Sequence, residues 1–150
     1  MFNVPGCCGR VRPAMHLPSS DSSEAEIHRL VHGFYSRVRS DELLGPVFER
    51  HIGDWPVHLA KMVDFWSSVL QGTRRYHGTP MPAHQALPEL NPSLFRRWLE
   101  LFSETTAETC SAELGARADQ LAGRIAQSLW FGHQLAHAPD TLPRPLDHAA

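Results

Sequence analysis

Cysteine is scarce in this sequence, tyrosine is scarcer, and charge of either sign never accumulates. Only three cysteines, Cys7, Cys8 and Cys110, and two tyrosines occur in 150 residues. An odd cysteine count without paired C-x-x-C spacing excludes the common zinc motifs and fits a reducing, cytoplasmic compartment. A formal charge of −2, with acidic and basic residues mixed along the chain, leaves no basic stripe for a nucleic-acid backbone, so no nucleic-acid partner is expected. No stretch is apolar for long enough to serve as a signal peptide or to span a membrane, so no membrane partner is expected either. Strand-like alternation between hairpin turns is missing, and nothing repeats at periods of about 20–50 residues.

What is present is a chain of one-domain length with an apolar share of 42%, enough to build a single core. Residues 1–20 are rich in Pro, Gly and Ser and read as a flexible N-terminal arm. Residues 138–150 carry prolines that forbid a regular helix and read as a flexible tail. The folded body is 21–137.

Within that body the apolar residues recur at helical spacing. Ile27, Leu30, Val31, Phe34, Tyr35 and Val38 form one stripe, with Asp21 and Glu24 placed to start the helix as a capping pair. Broken helical turns follow around Gly45 and Pro46. A second long helix starts at Asp54, carries Trp55, Leu59, Met62, Val63, Trp66, Val69 and Leu70, and stops at Gly72. Asn91 caps a third, opened by Pro92 and bearing Leu94, Phe95, Trp98, Leu101, Phe102 and Thr105. A fourth, over about 111–136, places Leu114, Ala118, Leu121, Ala122, Ile125 and Leu129 on one face. The fold class expected is all-α.

Three polar or large aromatic groups face inward from three different helices: Tyr35, His58 and Trp98. Each is compatible with core packing, and His58 with a histidine bonded to a carbonyl. Together they require one core to satisfy a phenol, an imidazole and an indole N–H, which a buried polar ligand would do. His84, among ten histidines, stands in the stiff stretch GTPMPAHQALPEL between Pro82 and Pro88. One imidazole on a constrained piece of chain, facing hydrogen-bond donors, is what a haem iron needs. Zinc, which takes three or four protein ligands, is the competing metal; no compact ligand spacing supports it, and H-L-A-K-M at 58–62 lacks the second histidine of H-E-x-x-H. A helical interaction domain without haem, its polar residues merely filling the core, is the alternative from a different functional class.

The run FYSRVRSDELLGPVFERHIGDWPVHLAKMVDFWSSVLQG, followed by YHGTPMPAH and LFRRWLELF, resembles the group III truncated globins over roughly residues 27–133. The resemblance implies a truncated globin fold, a two-over-two helical sandwich around haem b. It implies His84, in H-x-x-L with Leu87, as the proximal iron ligand, and Tyr35, His58 and Trp98 as the distal residues. Phe48 in GPVF matches the aromatic that packs against haem, and Met62 and Trp66 follow His58 on the pocket face. Met62 departs from the branched aliphatic more usual there, as do the N-terminal arm with Cys7 and Cys8 and the proline-rich tail. Arg74 and Arg75 stand where they could meet haem propionates.

Such a globin binds dioxygen, nitric oxide and carbon monoxide, and its donors suit redox or detoxification chemistry, nitric oxide dioxygenation or peroxidase-like turnover, better than bulk oxygen transport. Sensing of a gaseous ligand is a further reading. The chain shows no flavin or nicotinamide module, so turnover needs an external reductant. His58 has two behaviours open to it, swinging onto the iron or standing as a gate above it.

Overall fold

Ile27, Leu30, Val31, Phe34, Tyr35 and Val38, the stripe expected on the first helix, are all buried. In the computed structural model, which describes residues 20–78, 84 and 87–146 and side chains from residue 23 onward, these residues lie along α1, Ser20–Ser40. Four more helices follow among the described residues: α2, Gly45–His51; α3, Trp55–Gln71; α4, Pro92–Thr109; and α5, Ala112–His137. No strand occurs among them. No described helix is long and apolar enough to cross a membrane. The N-terminal arm with Cys7 and Cys8, prolines 80 and 82, and residues 147–150 lie outside the described residues.

α1 packs on both α3 and α4, while α4 lies along α5. The result is two pairs, α1 with α3 and α4 with α5, laid one over the other. Their shared core is held by Phe34, Phe102 and Trp66, with Trp66 stacked on Phe102 at 4.8 Å and Phe34 edge-on to Phe102 at 5.3 Å. Aromatic rings in such offset and edge arrangements contribute about 0.5–1.5 kcal/mol each beyond their buried area.

The starts of α3 and α4 and the end of α3 are set by the residues that the sequence indicates, and α5 adds a cap at Ser111. Asp54 accepts from the Val57 amide at 3.1 Å, Asn91 from Leu94 at 3.2 Å and Ser111 from Leu114 at 3.3 Å. Gly72 ends α3 in the left-handed region at φ +68°, where a Cβ would be strained. The start of α1 differs from expectation. Glu24, expected to cap the helix, has a carboxylate that accepts from Ser67 on α3 at 3.0 Å and from Arg75. Ser67 therefore takes the buried place on α3, and Val69, expected on the core stripe, is 40% exposed.

The tail also departs from expectation over 138–146. Prolines keep it out of helix, yet the Gln134 side chain pairs with the Arg144 backbone at 2.8 and 2.9 Å. Leu146 is buried against Phe95, Ala126 and Leu129, and its amide donates to Gln127. An apolar anchor and three hydrogen bonds hold what composition alone marks as loose.

Asp41 turns the chain from α1 into α2. Its carboxylate accepts from the Leu43 and Leu44 amides and from Arg97 of α4 at 2.8 Å. Burial pushes that carboxyl up, but Arg97 and the two amides outweigh it and hold it below its ordinary value. Gly45 then passes so close to α1 that a Cβ would lie 2.9 Å from the Arg39 carbonyl oxygen and 3.3 Å from that of Val38. Neither backbone atom can yield cheaply. Gly45→Ala should therefore cost about 1–3 kcal/mol, read as a lowered urea midpoint. Gly53→Ala, whose Cβ meets nothing within 4 Å, should leave the midpoint nearly unchanged.

Candidate functional site

Tyr35 leaves the middle of α1 and meets His58 one turn into α3, the rings edge to face with centroids 5.0 Å apart. Two further aromatics surround the pair. Phe48 of α2 is 6.0 Å from Tyr35, and Trp55, three residues before His58 on α3, lies 5.9 Å from Tyr35 and 5.8 Å from His58. Residues three apart on a helix share a face, which is why Trp55 and His58 reach the same spot. The Asp54 cap fixes the first turn of α3 and hence the height of both side chains above α1.

The cluster is polar and largely buried. His58 Nε2 and Trp55 Nε1 are buried and have no hydrogen-bond partner among the described residues. Leaving such a group unsatisfied costs about 1–3 kcal/mol. Burial lowers the His58 pKa, and Lys61 and His84 lower it further, so the imidazole is neutral near pH 7. Burial also pushes the Tyr35 phenol well above its ordinary range, so it stays a protonated donor.

The other expected site residues take distinct places. Trp98 is stacked on Phe102 at 5.3 Å and edge-on to Phe34 at 5.3 Å; Phe34 in turn touches Tyr35 at 5.0 Å. Its ring therefore reaches the Tyr35 cluster through Phe34. Met62, half-buried, lies one turn beyond His58 on α3, whereas Trp66 is 3% exposed and belongs to the core. His84 is helical and half-buried, and it is close enough for its charge to act on His58. Glu89, just beyond, accepts from His51 and ties the segment after His84 to α2. Arg75 is committed elsewhere than at a pocket mouth, to Glu24 and, at 3.2 Å, to Asp64. Arg74 adopts φ +58°. Among the described residues no group of three or more His, Cys, Asp or Glu is placed to hold a metal ion.

A helical chain thus sets two buried ring nitrogens beside a protonated phenol, with a further histidine in electrostatic reach. The family model of bacterial-like globins matches residues 22–129. The chain is 38% identical over 87 residues to a group 3 truncated hemoglobin of Campylobacter jejuni, covering 55% of this chain and 68% of that one. The chain belongs to the bacterial-like globins, in the group III truncated haemoglobin family. Its fold is that of the crystal structure of a group III truncated hemoglobin from Campylobacter jejuni, with a TM-score of 0.67 at 34% identity over 71% of this chain and 87% of the other. The two helix pairs of this globin are thus the two-over-two sandwich expected from the sequence.

Two residues of the cluster escape the sequence reading. Trp55 is assigned there to the core stripe alone, although its spacing of three from His58 already places the two together. Arg39, whose guanidinium carbon sits 4.5 Å over the Trp55 ring, leaves no signal in the sequence.

The depressed His58 pKa has a sign that can be measured. The unfolded ring titrates near 6.5; below that pH the unfolded chain binds more protons than this globin does in its native state. The contribution of His58 to stability is complete above about pH 6.5 and is lost as pH falls toward its lower native pKa. His133, also lowered by burial and by His137, acts in the same direction. Urea midpoints taken between about pH 8 and 5 should fall below pH 6.5, and less steeply in His58→Leu.

Proposed function

We propose that this globin holds haem b through His84 as the proximal ligand and presents Tyr35, His58 and Trp98 over the opposite face. Phe48, Met62 and Trp66 supply the surrounding wall. The observation that carries the reading is the pair of buried, unpartnered nitrogens at His58 and Trp55 beside the Tyr35 phenol. A core built only for packing would leave them at a cost with no return, which weighs against a helical domain without haem. When bound, haem iron supplies a coordination position for a diatomic ligand and a redox couple.

The protein's part is to favour ligands that carry negative charge. The Tyr35 hydroxyl, kept protonated by burial, donates to the negative end of dioxygen, and the Trp98 indole supplies a second donor. A hydrogen bond to a charged acceptor contributes about 1.5–3 kcal/mol, or roughly tenfold to hundredfold in dissociation rate. Carbon monoxide, with little charge to receive it, gains less. Neutral His58 stands at the entrance as a gate and can donate or accept without adding charge.

Retention of dioxygen by fixed donors suits chemistry more than delivery. The same dipoles stabilise charge that develops when dioxygen meets nitric oxide or when a peroxide is cleaved. Dioxygen, nitric oxide and carbon monoxide are the ligands, and redox detoxification, nitric oxide dioxygenation or peroxidase-like turnover, is the role. Electrons come from a separate reductant, since no nicotinamide or flavin module is built by the described helices.

Ferric, ferrous and carbonmonoxy absorption spectra test the reading. Haem-reconstituted protein should show a Soret band that His84→Ala shifts or loses, and Tyr35→Phe should speed dioxygen release by roughly tenfold to hundredfold. A protein that takes up no haemin, or a Tyr35→Phe variant with the native release rate, contradicts it.

A further inference from the structure

Trp55 belongs to two surfaces at once. It lines a groove of about 330 Å³ between α1 and α3, together with His32, Tyr35, Ser36, Arg39 and Leu59. Its ring also touches His58 at 5.8 Å, T-shaped, and His58 does not line the groove. Trp55 therefore stands between the groove and His58, with 8% of its surface exposed and its indole N–H unpartnered. On the solvent side Arg39 lies over the indole at 4.5 Å. The guanidinium is itself fixed, its Nε donating to Glu49 of α2 at 3.0 Å.

The chain of contacts Glu49–Arg39–Trp55–His58 runs from a surface ion pair to the distal histidine, each link with defined geometry. Tyr35, Trp55 and His58 form a triangle of ring contacts, with Tyr35–Trp55 at 5.9 Å, and both rings meet the imidazole nearly at right angles, at 89° and 87°. Two rings that pack on each other and each meet the imidazole at a right angle fix its orientation to both. We propose that Trp55 is a positioning residue of the distal site: it packs on both Tyr35 and His58 and fixes the angle of the imidazole to the phenol, and Arg39, anchored by Glu49, holds Trp55 in place. Small uncharged ligands enter when Trp55 yields and His58 turns. This inference rests on the haem reading above and adds the element that sets how often the entrance opens.

Carbon monoxide is the probe, because its stretching frequency reports the groups around it and its recombination after photolysis reports entry. The native carbonmonoxy protein should show one dominant C–O band. Trp55→Phe should add a second band and raise the association rate by about three- to tenfold, the factor of one lost ring contact. In a His58→Leu background the same substitution should change neither, because its action passes through His58. A change of equal size in that background, or none in the native background, overturns the proposal. Arg39→Gln alters only surface groups and should give the same second band with a rate about two- to fivefold above native, so the test survives a Trp55→Phe variant that fails to fold; a native band pattern and rate in Arg39→Gln also overturns it. Native protein that binds no carbon monoxide overturns the haem reading and this one with it, whereas native protein that binds it through His84 while the variants stay unchanged overturns this one alone.

Discussion

Two helices that cross with a phenol on one and an imidazole on the other bury both groups, and in this globin they do so with no acceptor or donor for His58 Nε2 among the described residues. Everything around the crossing of α1 and α3 can be understood as holding that uncomfortable pair in register. Left alone, unsatisfied groups would favour separation of the helices or the entry of water. They stay together because Phe34 of α1 and Trp66 of α3 both pack on Phe102 of α4, and Glu24 on α1 is tied to Ser67 on α3. The polar network at one end and the aromatic core in the middle stabilise an arrangement that the site itself does not favour.

The second constraint is on height and angle. Asp54 fixes where α3 begins, and Asp41, bonded to two amides and to Arg97, fixes where α1 ends and α2 starts. Gly45 lets α2 approach the carbonyls at the end of α1, which brings Phe48 to the edge of Tyr35. A displacement of any one of these corners would move an aromatic wall away from the pocket. Pre-organisation here comes from caps and one close backbone approach, which hold groups in place before a ligand arrives.

Much of this was legible in the chain. The stripe on α1 is buried residue for residue, the caps at Asp54 and Asn91 bond as their spacing requires, and Gly72 stops α3 where a left-handed residue is needed. The inward-facing residues Tyr35 and His58 could be picked out because helical period alone decides which face a residue occupies. Trp98 is also on the inner arc, but that its ring meets Phe34 and Phe102, and reaches Tyr35 only through Phe34, could not be read from spacing. Glu24 shows the same limit from another side: its distance from Asp21 fits a capping pair, yet Ser67 and Arg75, more than forty residues away in sequence, offer the carboxylate stronger partners.

The sequence by itself determined the number of long helices, their ends and their buried faces, because these depend on contacts within three or four residues that every helix makes in the same geometry. Only the tertiary structure decided that Arg75 serves Glu24 and Asp64, that Leu146 returns to Phe95, and that Trp55 stands between Arg39 and His58. Each of these pairings joins groups whose separation is set by a helix crossing. A crossing angle is the outcome of all the side chains packed within it, and no local pattern contains it.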